Sequence, residues 1–225
     1  AMPELNSATY DNVEVGWRAW LASGIRLDSA LYQLSGKDTI VSYTSDIGNS
    51  FNKNAGNTRS RGLELSLNQE LRVWGREWDW RVGATWAEHT FVSYRVSDKV
   101  GAIEDYSGKD MPQAPNHTIT AQLGWKFTPT SRVALGLVKQ GRYWMNNANT
   151  VRYAGHTLLN LTASHKLADG WEVWGQVRNL TDKLYSDNAS SRYITGTYSP
   201  NTQNTYAAGA PRSVMLGLTK SFGQR

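Results

Sequence analysis

The sequence predicts an all-β fold, an antiparallel up-and-down barrel that crosses a membrane with strands. Three observations predict it. Successive segments alternate apolar and polar residues with a period of two, and the connections between them alternate short and long. Trp and Tyr, at 10 and 11, far outnumber Phe, at 4. A strand apolar on one face and small or polar on the other can stand between lipid and a wet lumen. Rings that carry a polar atom are favoured over Phe where one side is dry and the other wet. Composition alone suits a Trp-rich, carbohydrate-binding β-sandwich equally well.

Nine strands can be marked. The first, about 13–21, sets Val13, Val15, Trp17, Ala19 and Leu21 against Glu14, Gly16 and Arg18. The second, about 25–34, alternates less cleanly. The third, about 61–71, sets Leu63, Leu65 and Leu67 against Glu64, Ser66 and Asn68. The fourth, about 77–92, sets Trp78, Trp80, Val82, Ala84 and Trp86 against Asp79, Arg81, Gly83 and Thr85. The fifth, about 116–127, places Ile119, Ala121, Leu123, Trp125 and Phe127 on one face. The sixth (about 131–143) carries Val133, Leu135 and Leu137, and the seventh (about 156–167) Leu159, Leu161 and Ala163. The eighth covers about 171–182. The ninth, about 212–222, sets Val214, Leu216, Leu218 and Phe222 against Ser213, Gly217, Thr219 and Ser221. Period-two alternation on this scale is a strand signal, and helix-period segments are absent.

The connections sort by length. Ala22–Gly24, Trp74–Arg76, Thr128–Thr130 and Ala168–Gly170 are short, whereas 35–58, 93–115, 144–155 and 183–211 are long and rich in Asn, Ser, Gly and Tyr. Outer-membrane barrels have short periplasmic turns and longer extracellular loops, and a soluble sandwich has no reason to sort its loops this way. Nine is an odd count, whereas bacterial single-chain barrels are even, and an unclosed edge in lipid leaves backbone groups unpaired. Either a strand hides near 36–45 or the chain is part of a larger barrel. The second reading is preferred.

The remaining composition excludes other classes. There is no cysteine, which removes disulfide scaffolds and Cys chemistry. The net charge of +5 comes from scattered Lys and Arg, so no nucleic-acid partner is expected. No apolar run approaches the roughly 18 residues of a helical span. Ala1-Met2-Pro3 reads as a cut edge without a signal peptide. His89, His117, His156 and His165 lack metal-ligand spacing. Ser164 and His165 are adjacent strand residues and face opposite ways, so they form no nucleophile–base pair. No enzyme and no cofactor are expected.

Several segments resemble TonB-dependent outer-membrane receptors, most of all their ferric-siderophore branch. Asn179-Leu180-Thr181-Asp182-Lys183-Leu184-Tyr185 resembles the "NLTDxxY" signature near the end of these receptors, and Gly209-Ala210-Pro211-Arg212 through Phe222 resembles their "GxPR…F" last strand. Asn54 to Leu65 is similar to "NAGxTRSRGxEL". Pro3-Glu4 with Glu14-Val15-Gly16 is similar to "PE…YExG", and Met111 to Thr118 to "PxxPxHT". The motifs run in family order across nearly the whole chain.

The resemblance implies a barrel of about 22 strands around an N-terminal plug domain. Residues 1–225 would form its C-terminal portion, about strands 14 to 22, with the plug domain absent. The implied partners are the rest of the barrel, the plug, the TonB complex acting through the plug, outer-membrane lipids and a ferric chelate. Gly223-Gln224-Arg225 depart from the family, which usually stops on the aromatic residue. Glu172, Gln176 and Arg178, with Arg18, Arg81 and Glu64, are expected to face the lumen.

The long loops are the candidate binding surface. Tyr94, Arg95, Tyr106, Arg142, Trp144, Arg192, Tyr193 and Tyr198 carry groups suited to an aromatic, anionic chelate through stacking, hydrogen bonds and cation–π contact. The bland reading is that loop tyrosines pack the loops against one another. The four loops sum to about +1 by side-chain count, so no strong anion funnel is expected. The competing functions are a passive outer-membrane channel or small barrel, and a TonB-dependent receptor for haem, cobalamin or a carbohydrate. The absence of a loop histidine pair weighs against haem.

Overall fold

The computed structural model describes residues 5–44, 50–54, 56–97, 103–195 and 200–222, with 41–44, 50–53, 96–97, 103, 192–195 and 200–202 described by backbone alone. Pro3-Glu4, Ala55, Tyr198 and Gly223-Gln224-Arg225 lie outside the described residues. In chain order the strands are β1 (Thr9–Trp20), β2 (Arg26–Lys37), β3 (Ile40–Thr44), β4 (Ser50–Asn54), β5 (Gly56–Val73) and β6 (Arg76–Ser97). They continue as β7 (Ile103–Asp105), β8 (His117–Lys126), β9 (Ser131–Gln140), β10 (Tyr143–Trp144) and β11 (Arg152–Tyr153). The last are β12 (His156–Lys166), β13 (Trp171–Arg178), β14 (Ser186–Thr195), β15 (Pro200–Ala208) and β16 (Ser213–Lys220). Nine of them form one antiparallel wall in the order β1-β2-β5-β6-β8-β9-β12-β13-β16, and these are the nine strands that alternation marks in the sequence.

The register gives the wall two chemically distinct faces. One row of partners runs Ala19, Leu27, Leu67, Val82, Ala121, Leu137 and Leu159 across seven strands. Further along, Leu161, Val177 and Val214 are partners in the same way. These side chains point outward: Leu216 is 81% exposed and Val214 65%. An apolar patch of this extent on a wall is satisfied by hydrocarbon. Its height fits. On β6 the band runs from Trp78 to Trp86, roughly 26 Å of strand, which a tilt of about 40° turns into roughly 20 Å of membrane depth. The rest of this 22-residue strand stands above the band on the long-loop side.

The opposite face is polar and held by ion pairs. Arg18 and Arg26 converge on Asp28 at 3.1 and 2.9 Å, and Lys126 meets Glu77 at 2.7 Å. Arg178 Nε donates to Gln176 Oε1 at 3.1 Å. The tightest pair spans three strands. Arg132 on β9 reaches Asp79 on β6 with Nη2–Oδ1 2.6 Å and Nε–Oδ2 3.1 Å, passing over Gly124 of β8 between them. A Cβ at Gly124 would collide with both partners. The glycine is there because a charged bridge occupies its side-chain space.

The short turns lie at one end. Trp74-Gly75 joins β5 to β6 with φ of 49° and 73° at the two positions, the double left-handed geometry of a tight hairpin turn. Rings crowd this end on the apolar side: Trp78 stacks on Trp125 at 5.4 Å, and Trp125 meets Phe127 at 5.5 Å. They form an aromatic girdle.

Several boundaries differ from the sequence reading: β1 starts at Thr9 rather than about 13, β5 at Gly56 rather than about 61, and β6 runs to Ser97 rather than about 92. The eighth strand ends at Arg178 rather than 182, because Asn179 and Asp182 turn back with φ of 49° and 52°. The sixth ends at Gln140, and Tyr143–Trp144 pair separately with Arg152–Tyr153. The stretch near 36–45 does hold a strand, β3, but it pairs with β4 as a loop hairpin and adds nothing to the wall.

Gly124→Leu is expected to displace the Arg132–Asp79 bridge and lower unfolding stability by about 1–2 kcal/mol. A denaturant titration of the detergent-folded protein, monitored by heat-modifiable gel mobility, measures it. Asp79→Asn should reproduce the direction without the steric component.

Candidate functional site

At the long-loop end the wall opens into packed loop bases. In the first, Phe91 and Tyr94 on β6 are 4% and 3% exposed, with ring centroids 4.6 Å apart. Tyr106 lies 5.4 Å from Tyr94, and Met111 closes the cluster. Main-chain bonds fix the loop here: Tyr106 N–H donates to Tyr94 O at 2.8 Å, and Gly108 N–H to Phe91 O at 2.7 Å. Burial, and then the hydrogen bond to Glu104, push the Tyr106 phenol well above its ordinary range. Tyr94 is raised by burial as well.

Next to this cluster Arg95 Nε meets Asp105 Oδ2 at 2.9 Å and ties β7 to the end of β6. The hydroxyl and N–H of Ser107, followed by Arg95, hold the Asp105 carboxyl down at about 2. A carboxylate depressed in this way contributes stability above its ordinary value near 3.8, and that contribution is lost as pH falls through about 2.

The second cluster joins two other loops. Tyr143, Met145 and Ala189 are nearly or fully buried, with Val151 and Tyr153 against them. Ala189 N–H donates to Tyr143 Oη at 2.8 Å, and Ser191 N–H to Met145 O at 2.9 Å, so β14 is latched to β10 and its following turn. Tyr153 Oη lies 3.0 Å from His156 Nδ1 and donates to Ser186 O at 3.0 Å, while Tyr185 packs on His156 at 4.5 Å. A third contact links the clusters. Trp144 Nε1 donates to Asp110 Oδ2 at 3.0 Å, and the Arg152 guanidinium stacks over the Trp144 ring at 4.1 Å. Gln113 Nε2 donates to Asn188 Oδ1 at 3.0 Å.

The structure therefore divides the sequence-selected residues. Tyr94 and Tyr106 sit in a packing cluster, with Tyr94 turned away from solvent. Arg95 is committed to Asp105. Trp144 and Arg142 stand together at the exit of β9, Arg142 exposed and Trp144 half-buried under Arg152. Arg192 and Tyr193 lie on β14 opposite Gln203 and Thr202. Tyr198 lies outside the described residues. Sequence reasoning did not select Arg152, a cation of the 144–155 loop. It missed Asp110 altogether, because a stack between two loops has no spacing signal in the chain.

The two C-terminal motifs are partners of each other. Asn179 is 3% exposed, and its amide donates to Lys183 O at 2.9 Å and Ala210 O at 3.2 Å while accepting Lys183 N–H at 2.8 Å. Asp182 Oδ1 accepts Arg212 N–H at 2.9 Å. The Tyr185 ring fills the space a side chain at Gly209 would need. The exit of β13 is thus knotted to the entry of β16.

Asn179→Leu leaves buried backbone groups unpaired and is expected to cost about 2–3 kcal/mol, read as a lower denaturation midpoint of the detergent-folded protein. In an acid titration followed by carboxyl NMR, Asp105 should stay ionised at pH 3 and protonate near pH 2. Arg95→Gln should move that midpoint upward.

Similarity to known proteins agrees with this architecture. The family model described as "TonB dependent receptor-like, beta-barrel" matches residues 2–180. The siderophore receptor PiuA from Acinetobacter baumannii superposes with a TM-score of 0.70 at 20% identity, over 93% of this chain and 28% of that one. The ferric yersiniabactin uptake receptor FyuA from Yersinia pestis gives 0.68 at 19% identity, over 94% and 29%. The copper transporter OprC gives 0.71 at 13% identity, over 97% and 32%. The chain spans about a third or less of these proteins. With the match covering most of its residues, the chain belongs to the TonB-dependent receptor β-barrel family.

Proposed function

We propose that the chain forms wall and outer loops of a bacterial outer-membrane receptor that imports a ferric siderophore with energy delivered by TonB. The observation that carries this reading is the coincidence of family membership with a cation–aromatic surface at the long-loop end. Arg152 stacks its guanidinium over the Trp144 indole, and Arg142 is exposed two residues before Trp144 on the same segment. Guanidinium and aromatic faces suit an anionic, ring-bearing chelate. The work of such a segment is capture and passage, without covalent chemistry.

The remaining parts follow from that reading. The outer edges of β1 and β16 have no ladder partner among the described residues. In lipid each unpaired backbone group costs several kcal/mol, so these edges would join further strands of one closed barrel. The polar face would surround a plug, and the plug would be the element on which TonB pulls. The similarity to both siderophore and copper transporters fits a division of labour in which a common wall carries cargo-specific loops.

Binding of a ferric tris-catecholate probe to the full-length receptor, followed by fluorescence quenching, tests this. Trp144→Ala and Arg142→Ala are each expected to weaken binding about five- to tenfold. Tight binding of haem or copper ions with no response to the chelate would overturn the siderophore assignment. Steady ion conductance by the plug-bearing receptor without ligand would point to a passive channel instead.

A further inference from the structure

The lipid-facing side of the wall carries two cations and a histidine at its short-turn end. Alternation puts Arg76 in the series of Trp78, Trp80 and Val82, His165 in that of Leu159, Leu161 and Ala163, and Lys220 in that of Val214, Leu216 and Leu218. Lys220 Nζ sits 5.1 Å from the Trp171 ring and 5.8 Å from Phe222, and donates to the main-chain carbonyl of Asp169. Arg76 Nη1 donates to Phe127 O at 2.6 Å. His165 Nδ1 lies 2.7 Å from Ser131 Oγ.

The polar face at the same end is different. There Lys126 pairs with Glu77 and Arg132 with Asp79. Among the described residues no carboxylate forms an ion pair with Arg76, His165 or Lys220. Lys220 held against rings and Arg76 bonded only to a main-chain carbonyl, both at the foot of an apolar band with donors only partly used, leave room for an anion supplied from outside the chain. The surface beside them is hydrocarbon-facing, so that anion must arrive with acyl chains attached.

We propose that this rim binds the phosphate headgroups of anionic phospholipids in the leaflet next to the short turns. The acyl chains lie along the apolar band above, against Leu161, Leu216 and Leu218. Guanidinium and ammonium donors take phosphate oxygens, and the flanking rings occupy the headgroup layer. The inference rests on the membrane placement of the band, and it adds a lipid preference that the placement alone does not require.

The test is native mass spectrometry of the full-length receptor released from micelles containing equal phosphatidylglycerol and phosphatidylcholine. The wild type should retain phosphatidylglycerol at least about fivefold over phosphatidylcholine, since one cation near an anionic surface is worth about that factor. The Arg76→Gln/Lys220→Gln receptor should fall close to parity, and Lys126→Gln, on the polar face, should keep the wild-type preference. Parity in the wild type, or an unchanged preference in the double variant, would overturn the proposal. Heat-modifiable mobility checks that the double variant is folded. Quenching of Trp fluorescence by brominated phosphatidylcholine separately tests the placement: without quenching, the band does not face lipid and both ideas fall.

Discussion

Backbone hydrogen bonding in a dry environment is the constraint on which the rest depends. In hydrocarbon there is no water to satisfy an N–H or C=O, so every strand that crosses must find its partners in its neighbours. The antiparallel ladder from β1 to β16 does this strand by strand. Once the ladder is fixed, so is the side-chain period, and with it the separation of an apolar outside from a charged inside. A slip of one residue anywhere would send charges into lipid and leucines into the lumen. The polar-face ion pairs that cross strands, such as Arg132–Asp79 over Gly124, add a second lock on the same register.

This is why the wall was legible in the sequence and the loops were not. The series Leu63, Leu65, Leu67 and the series Trp78, Trp80, Val82 announce both strand and face, since lipid selects for every second residue. Strand ends were less legible. The sequence at 179–182 continues as if it were strand, yet the Asn179 side chain takes up backbone groups that a ladder would otherwise use. The long loops obey no period at all. Whether Tyr94 binds a ligand or packs on Phe91 depends on what the neighbouring loop brings, and the chain carries no local signal of that.

The resemblance in motifs also gains a physical meaning. Asn179, Asp182 and Tyr185 are far in sequence from Gly209 and Arg212, and neither group has an evident purpose alone. In space they are the two halves of one joint. Similarly, Gln113 in the "PxxPxHT" segment donates its N–H to Trp144 O and its side-chain amide to Asn188, so that segment is tied to both of the long loops that carry these residues. These sequence signatures therefore mark places where loops are fastened to the wall and to one another.

That joint has an evolutionary side. Because Asn179 and Asp182 bind the chain where it leaves β13 and where it enters β16, the hairpin of β14 and β15 hangs from a closed clasp. Residues beyond the clasp can lengthen, shorten or change chemistry while the strands below keep their register. The outer hairpin is in effect an exchangeable cartridge, free to be rewritten without disturbing the frame that carries it.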